Sequence, residues 1–174
     1  MKYFLIPLLL LGMSTIVSAQ EAQLQKGNFV IDANTTLGNI GGLGGIGGVG
    51  TGFLLSTVDG ATIWNAGGEV GYFVTDELAL KTGLGVGDFD GLNLVSYKFG
   101  AKYYIAQKIP FQLDVSGQSI EDLDDNPFYI AFQGGYALFL GDMVSIEPSL
   151  RYNISTTEFF ENIFQIQIGF SIFL

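Results

Sequence analysis

The sequence predicts an all-β protein: an eight-stranded, antiparallel, up-and-down transmembrane β-barrel behind a cleaved signal peptide. Three observations predict it. Apolar and polar residues alternate with a period of two through eight segments of roughly ten residues, the spacing of side chains on a strand. Within those segments every Asp, Glu, Lys and Arg falls on one face, and the other face is bulky and apolar. No internal run approaches the roughly 18 apolar residues that a membrane-crossing helix needs.

The chain has 174 residues and opens MKYFLIPLLLLGMSTIVSA. Lys2 is a short basic region, Phe4 to Leu11 an apolar one, and Val17-Ser18-Ala19 a small-residue cleavage site. Residues 1–19 are therefore expected to be a secretory signal peptide, cut after Ala19. Residues 20–26 form a polar lead-in, and 27–174 the barrel domain.

The first strand is expected from Gly27 to Leu37, with Phe29, Ile31, Ala33 and Leu37 opposite Asp32, Asn34 and Thr36. A long connection follows over residues 38–61 and opens GNIGGLGGIGGVGTG. Repeated Gly-Gly-X disfavours a helix and leaves little to bury. It reads as a loop, with Phe53 to Val58 able to extend a neighbouring strand. A nucleotide-binding loop is rejected because no βαβ pattern surrounds it and it has no Lys.

The second strand, Thr62 to Val74, sets Trp64, Ala66, Val70 and Tyr72 against Asn65, Gly67, Glu69 and Gly71. Thr75-Asp76-Glu77 makes a tight turn. The third, Leu78 to Gly87, sets Leu80, Leu84 and Val86 against Lys81, Gly83 and Gly85. After a loop over 88–93, the fourth, Leu94 to Ile105, alternates Val95, Tyr97, Phe99 and Tyr103 with Ser96, Lys98, Gly100 and Lys102. The fifth, Phe111 to Gly117, carries Gln112, Asp114 and Ser116 on its polar face, and an acidic loop spans 118–127.

The sixth strand, Phe128 to Leu140, shows Phe128, Ile130, Phe132, Tyr136 and Leu138 on its apolar face. The seventh, Met143 to Ile154, sets Val144, Ile146, Leu150 and Tyr152 against Ser145, Glu147, Ser149, Arg151 and Asn153. Pro148 lies within it and cannot donate to a ladder, so a bulge or a missing hydrogen bond is expected there. The eighth is FQIQIGFSIFL, Phe164 to Leu174, the cleanest alternation in the chain. Short turns then lie on one rim and longer connections (38–61, 88–93, 118–127, 155–162) on the other, as in membrane β-barrels.

Charge placement decides which face meets hydrocarbon. The polar register holds Asp32, Glu69, Lys81, Lys98, Lys102, Asp114, Glu147 and Arg151, among many small residues. A narrow interior needs small side chains, and a water-facing exterior would carry more charge. Lys or Arg at the lipid midplane costs about 2–4 kcal/mol. The four acids and four bases should pair, because isolated buried ions are costly. Lys102 is expected opposite Asp114, and Glu69 near Lys81, giving a salt-bridged plug.

There is no Cys and no His, and the formal net charge is −10. Disulfides, thiolate or imidazole metal sites and His-based triads are excluded. Nucleic acid is not expected as a partner. No catalytic residue, cofactor or metal is assigned.

The chain resembles the small outer-membrane β-barrel proteins of Gram-negative bacteria, in the OmpA-like and OmpX-like group of the porin family. Three stretches carry the resemblance: the hairpin GYFVTDELAL from Gly71 to Leu80, the C-terminus, and the layout from Gly27 to Leu174. The C-terminal pattern Gln167, Gly169, Ile172 and Leu174 resembles the signal read by the barrel-assembly machinery, with Leu174 where the family usually ends on Phe. The resemblance implies an outer-membrane location, contact with lipid and lipopolysaccharide, assembly by that machinery and a monomeric state. It implies no one activity.

Three functions follow as alternatives. The first is a non-enzymatic structural or surface-binding barrel, with Asp59, Asp88, Asp90, Glu121, Asp122, Asp124, Asp125, Glu158 and Glu161 on its loop rim. The second is a small channel or conduit for apolar solutes. The third, an outer-membrane enzyme, is disfavoured by the missing His.

Overall fold

A computed structural model of the chain describes residues 23–40, 51–58, 61–89, 91–122 and 125–174. The expected signal peptide, the start of the lead-in, most of the Gly-Gly-X run and the loop acids Asp59, Asp90 and Asp124 lie outside the described residues. The strands are β1 (Phe29–Ile40), β2 (Gly52–Val58), β3 (Ala61–Phe73), β4 (Leu78–Phe89), β5 (Leu92–Ile105), β6 (Ile109–Ile120), β7 (Phe128–Gly135), β8 (Leu138–Phe139), β9 (Val144–Ser155) and β10 (Ile163–Phe173). From β1 to β7 each strand pairs with the next in one sheet, β7 and the short β8 both pair with β9, and β10 joins β9 and closes on β1 from Val30↔Phe173 to Ile40↔Phe164. Closure leaves no long free edge, which is how a sheet survives without water around its backbone.

The barrel closes with nine strands plus the short β8, and the expected count of eight is wrong. Two local causes account for the difference. The first is β2. Near the short turns β1 pairs directly with β3, from Phe29↔Tyr72 to Asp32↔Glu69. Further toward the loops the two strands part and β2 stands between them, parallel to β1 at Asn34↔Gly52 and Thr35↔Phe53, and antiparallel to β3 from Phe53↔Ala66 to Val58↔Ala61. The insertion requires glycine at position 52, where a Cβ would lie 1.5 Å from the Asn34 carbonyl oxygen.

The second cause is Pro148. β9 runs through it in register with β10. On its other side the sixth expected strand is cut at Tyr136 and Ala137 into β7 and β8. The Tyr136 N–H donates to the Pro148 carbonyl at 3.1 Å, and the return bond cannot form because proline has no N–H. Ala137 N–H turns instead to the Lys108 carbonyl at 2.7 Å. A groove of about 500 Å³ follows this break on the outer face, lined by Tyr136, Pro148, Leu150 and Ile166 among others.

The expected loop over 88–93 is almost entirely strand, since β4 and β5 pair out to Phe89↔Leu92. The long-loop rim therefore has a tight connection too. No helix among the described residues is long and apolar enough to cross a membrane, which says nothing against crossing by strands.

The outer face is apolar: Phe99, Leu84, Leu113 and Phe132 are exposed, as are Tyr72 and Tyr103 toward the short turns and Trp64, Tyr97 and Tyr152 toward the loops. The inner face holds the charges. Arg151 is 1% exposed. Near the short turns the lumen is filled by Val30, Phe73, Tyr104, Phe139 and Phe173, capped by Leu24 from the lead-in. The rings of Phe73, Tyr104 and Phe139 lie 5.6–6.3 Å from that of Phe173, within the range of favourable aromatic pairs.

Candidate functional site

All eight charged residues of the polar register point into the lumen on six strands. β1 supplies Asp32, β3 Glu69, β4 Lys81, β5 Lys98 and Lys102, β6 Asp114, and β9 Glu147 and Arg151. Strand alternation puts them there: each is separated by an even number of residues from the other inward residues of its strand.

Glu69 is the hub. Its carboxylate meets Lys81 Nζ at 2.6 Å and Lys98 Nζ at 2.7 Å. It also accepts from Asn34 Nδ2 at 3.1 Å and from the Thr51 hydroxyl. One side chain thus ties β1, β4, β5 and the residue before β2 to β3. That is the fork where β2 enters. Lys81 also binds Asp32, which in turn meets Lys102 Nζ at 3.0 Å. Lys102 reaches Glu147 Oε2 at 2.6 Å. Arg151 grips Asp114 with two hydrogen bonds, from Nη2 at 2.6 Å and Nη1 at 2.7 Å, the fork geometry that makes such pairs strong.

Gln112 joins the two groups. Its oxygen accepts from Lys81 Nζ at 2.9 Å and its nitrogen donates to Asp114 Oδ2 at 2.8 Å. Four acids and four bases therefore form one hydrogen-bonded layer of zero formal charge across the lumen. Uncompensated, each ion would cost several kcal/mol to bury, so the balance is a condition of folding. Glu69 lies beside Lys81 as expected. The expected Lys102–Asp114 pair does not form: Gly100 faces Asp114, and Lys102 faces Gln112. The turn is centred on Gln107, one residue earlier than expected, with Ala106 and Gln107 both at positive φ. Moving the centre by one moves each partner by two, so the inward face is kept and the partner changes.

The reading of the sequence missed the aromatic plug. Its signal was present: Phe73, Tyr104 and Phe173 are each two residues beyond another inward position and sit at the short-turn end of their strands. The Tyr104 hydroxyl donates to Glu147 Oε1 at 2.9 Å and so links the plug to the ion layer. The lead-in adds a strap under the mouth. Gln23 Nε2 donates to the Gly141 carbonyl at 2.7 Å, and Lys26 N–H to Asp76 Oδ1 at 3.0 Å.

The C-terminal residues divide by face. Gln167 and Gly169 point inward, Ile172 and Leu174 outward. A Cβ at position 169 would lie 2.8 Å from Asn34 Oδ1. At the loop rim Glu121, Asp122, Asp125, Glu158 and Glu161 are exposed, and Asn93 Nδ2 donates to Glu121 Oε2 at 2.6 Å. Among the described residues no three acidic side chains are grouped to hold a metal ion.

No protein-family model matches the chain, and no curated protein matches it in sequence. Solved structures do. The N-terminal β-barrel domain of Pseudomonas aeruginosa OprF matches with a TM-score of 0.55 at 14% identity, over 86% of this chain and 98% of that one. The outer membrane protein OprG from the same organism matches with a TM-score of 0.51 at 11% identity, over 86% and 97%. At these identities the likeness shows the fold alone: a small transmembrane β-barrel of the outer-membrane kind.

Proposed function

We propose that the chain is a non-enzymatic, integral barrel of a Gram-negative outer membrane, structural or surface-binding in role, with its lumen closed by the salt-bridged layer and the aromatic plug. The observation that carries this reading is the inversion of polarity, with paired ions inside and an apolar band outside. Hydrocarbon tolerates that surface and water does not. Residues 1–19 would direct export and be removed, 20–26 would form the lead-in, and 27–174 the barrel. Gln167, Gly169, Ile172 and Leu174 would be read by the barrel-assembly machinery. Lipid and lipopolysaccharide are the expected neighbours of a monomer of the OmpA-like or OmpX-like kind. The acidic loop rim would serve as a solvated, anionic surface; divalent-cation bridging to lipopolysaccharide is the sharper version of that role, and calorimetry showing no Ca²⁺ or Mg²⁺ binding would remove it.

Cell fractionation with heat-modifiable gel mobility tests the main reading. The chain should travel with the outer membrane and migrate faster unheated than heated. Recovery as a soluble protein with one mobility would end the proposal. A second reading, a conduit for apolar solutes, draws on one observation: among the described residues β1 and β2 are joined by two residue pairs, so the wall is weakly bonded there.

A further inference from the structure

We infer that the outer-face groove at the β7–β8 break seats one acyl chain of an anionic phospholipid, whose headgroup lies at Lys108. The inference rests on the reading of the outer wall as lipid-facing and adds one defined lipid to it.

The groove begins with two outward positions that carry little bulk. Along β7 and just past it, Phe132 and Tyr136 point outward and are large, but the position between them is Gly134. A Cβ at 134 would meet nothing within 4 Å, and its φ is not in the left-handed region. Neither the backbone nor a close contact therefore demands glycine there. The next residue differs, since a Cβ on Gly135 would lie 2.6 Å from the Pro148 carbonyl oxygen. On β9 the compact ring of Pro148 faces Ile168 of β10. The space left, about 500 Å³, runs from Gly134 over Pro148 and Ile168 to Leu37 on β1. Neighbouring strands are about 4.8 Å apart, so the groove crosses about 14 Å of wall.

The surroundings decide the occupant. The groove is continuous with the apolar band, and Leu150 and Ile166 on its border are themselves exposed. Water is absent at that depth, and an empty groove forfeits the dispersion contacts of its lining. A flexible hydrocarbon chain is what the bilayer supplies to fill it. Tyr136 marks the end of the groove toward the short turns, in the tyrosine girdle where headgroups begin.

Lys108 decides the headgroup. The Ala137 N–H donates to the Lys108 carbonyl at 2.7 Å, so the break itself brings Lys108 beside Tyr136. Lys108 is half-buried and takes part in none of the ion pairs among the described residues, whereas Lys81, Lys98, Lys102 and Arg151 are all paired in the lumen. The chain as a whole carries a formal charge of −10. An anionic lipid is repelled by most of this molecule and attracted at this point of its rim.

The chain has one Trp, Trp64, on the outer face of β3 and away from the groove. Trp64→Phe combined with Phe132→Trp moves the reporter to one outward position from Gly134, outside the groove lining. Both forms are folded into phosphatidylcholine vesicles and checked by heat-modifiable mobility. Each is then quenched with phosphatidylglycerol or phosphatidylcholine brominated in mid-chain. The reporter at 132 should favour phosphatidylglycerol about fivefold, the worth of one lysine at an anionic membrane surface. Trp64 should show no such preference. Lys108→Gln, which keeps the carbonyl that Ala137 uses, should abolish the preference at 132. Gly134→Leu, which puts bulk into the groove, should abolish it too; if that variant does not fold, Lys108→Gln decides alone. No preference at 132, an equal preference at Trp64, or a preference that survives either change overturns the lipid seat. Quenching at Trp64 with none at 132 means that a second copy covers the groove, and overturns it as well. If neither reporter is quenched by either lipid, the lipid-facing reading itself fails.

Discussion

The two ends of the lumen contrast most clearly at two tyrosines. Tyr104, toward the short turns, is buried among Phe73 and Phe173 and donates its hydroxyl to Glu147. Tyr129, toward the loops, is as deeply buried but its hydroxyl has no partner. The same side chain completes a packed, bonded plug at one end and is left open at the other. Strand number changes along with it, since β2 joins the wall only on the loop side. One end of the barrel is built for closure. The other has one more strand in its wall, and some of its buried polar groups, Tyr129 among them, have no partner.

Substitutions that strike one half alone should break or sharpen the contrast. Glu69→Gln at the boundary should do the most damage, because it strips Lys81 and Lys98 of a shared buried anion. Urea unfolding in lipid vesicles should show a loss of about 3–5 kcal/mol. Gly52→Ala should damage the wide half selectively. Its Cβ would overlap the Asn34 carbonyl, and overpacking of this kind costs about 1–3 kcal/mol. Hydrogen exchange should show β2 and its β3 partners Ala61–Ala66 losing protection while the plug strands keep theirs. Tyr104→Phe removes a hydrogen bond to a carboxylate and should cost about 1.5–3 kcal/mol in the same urea assay. Leu24→Ala should cost about 2 kcal/mol, the low end for a buried leucine, because the strap can settle. Tyr129→Phe should be the one change that does not destabilise, with a gain of about 1 kcal/mol, since it removes a buried hydroxyl that has no partner. A Tyr129→Phe loss equal to that of Tyr104→Phe would erase the distinction between the halves.

Much of this was readable from alternation. Period two placed Asp32, Glu69, Lys81, Lys98, Lys102, Asp114, Glu147 and Arg151 on one face, and it also placed Phe132 and Leu113 on the other. What alternation cannot give is the offset between strands. Ala106 and Gln107 adopt positive φ without being glycine, so nothing in their identity announced where the hairpin turns. Lys102 consequently found Asp32 and Glu147 in place of Asp114. The ninth strand was hidden for another reason. Gly-Gly-X has no apolar period, and the six residues that follow Gly52 are too few to show a face. Position 52 is glycine because of a backbone contact with Asn34 that exists only once the barrel has closed. Pro148 did announce itself, yet the strand it interrupts is its neighbour.

Single-channel recording in a planar bilayer tests the closed lumen most directly. The paired ion layer above the aromatic plug predicts no steady current from the full chain across the voltage range that the bare bilayer withstands. A stable, ohmic current from correctly folded, heat-modifiable protein would contradict it.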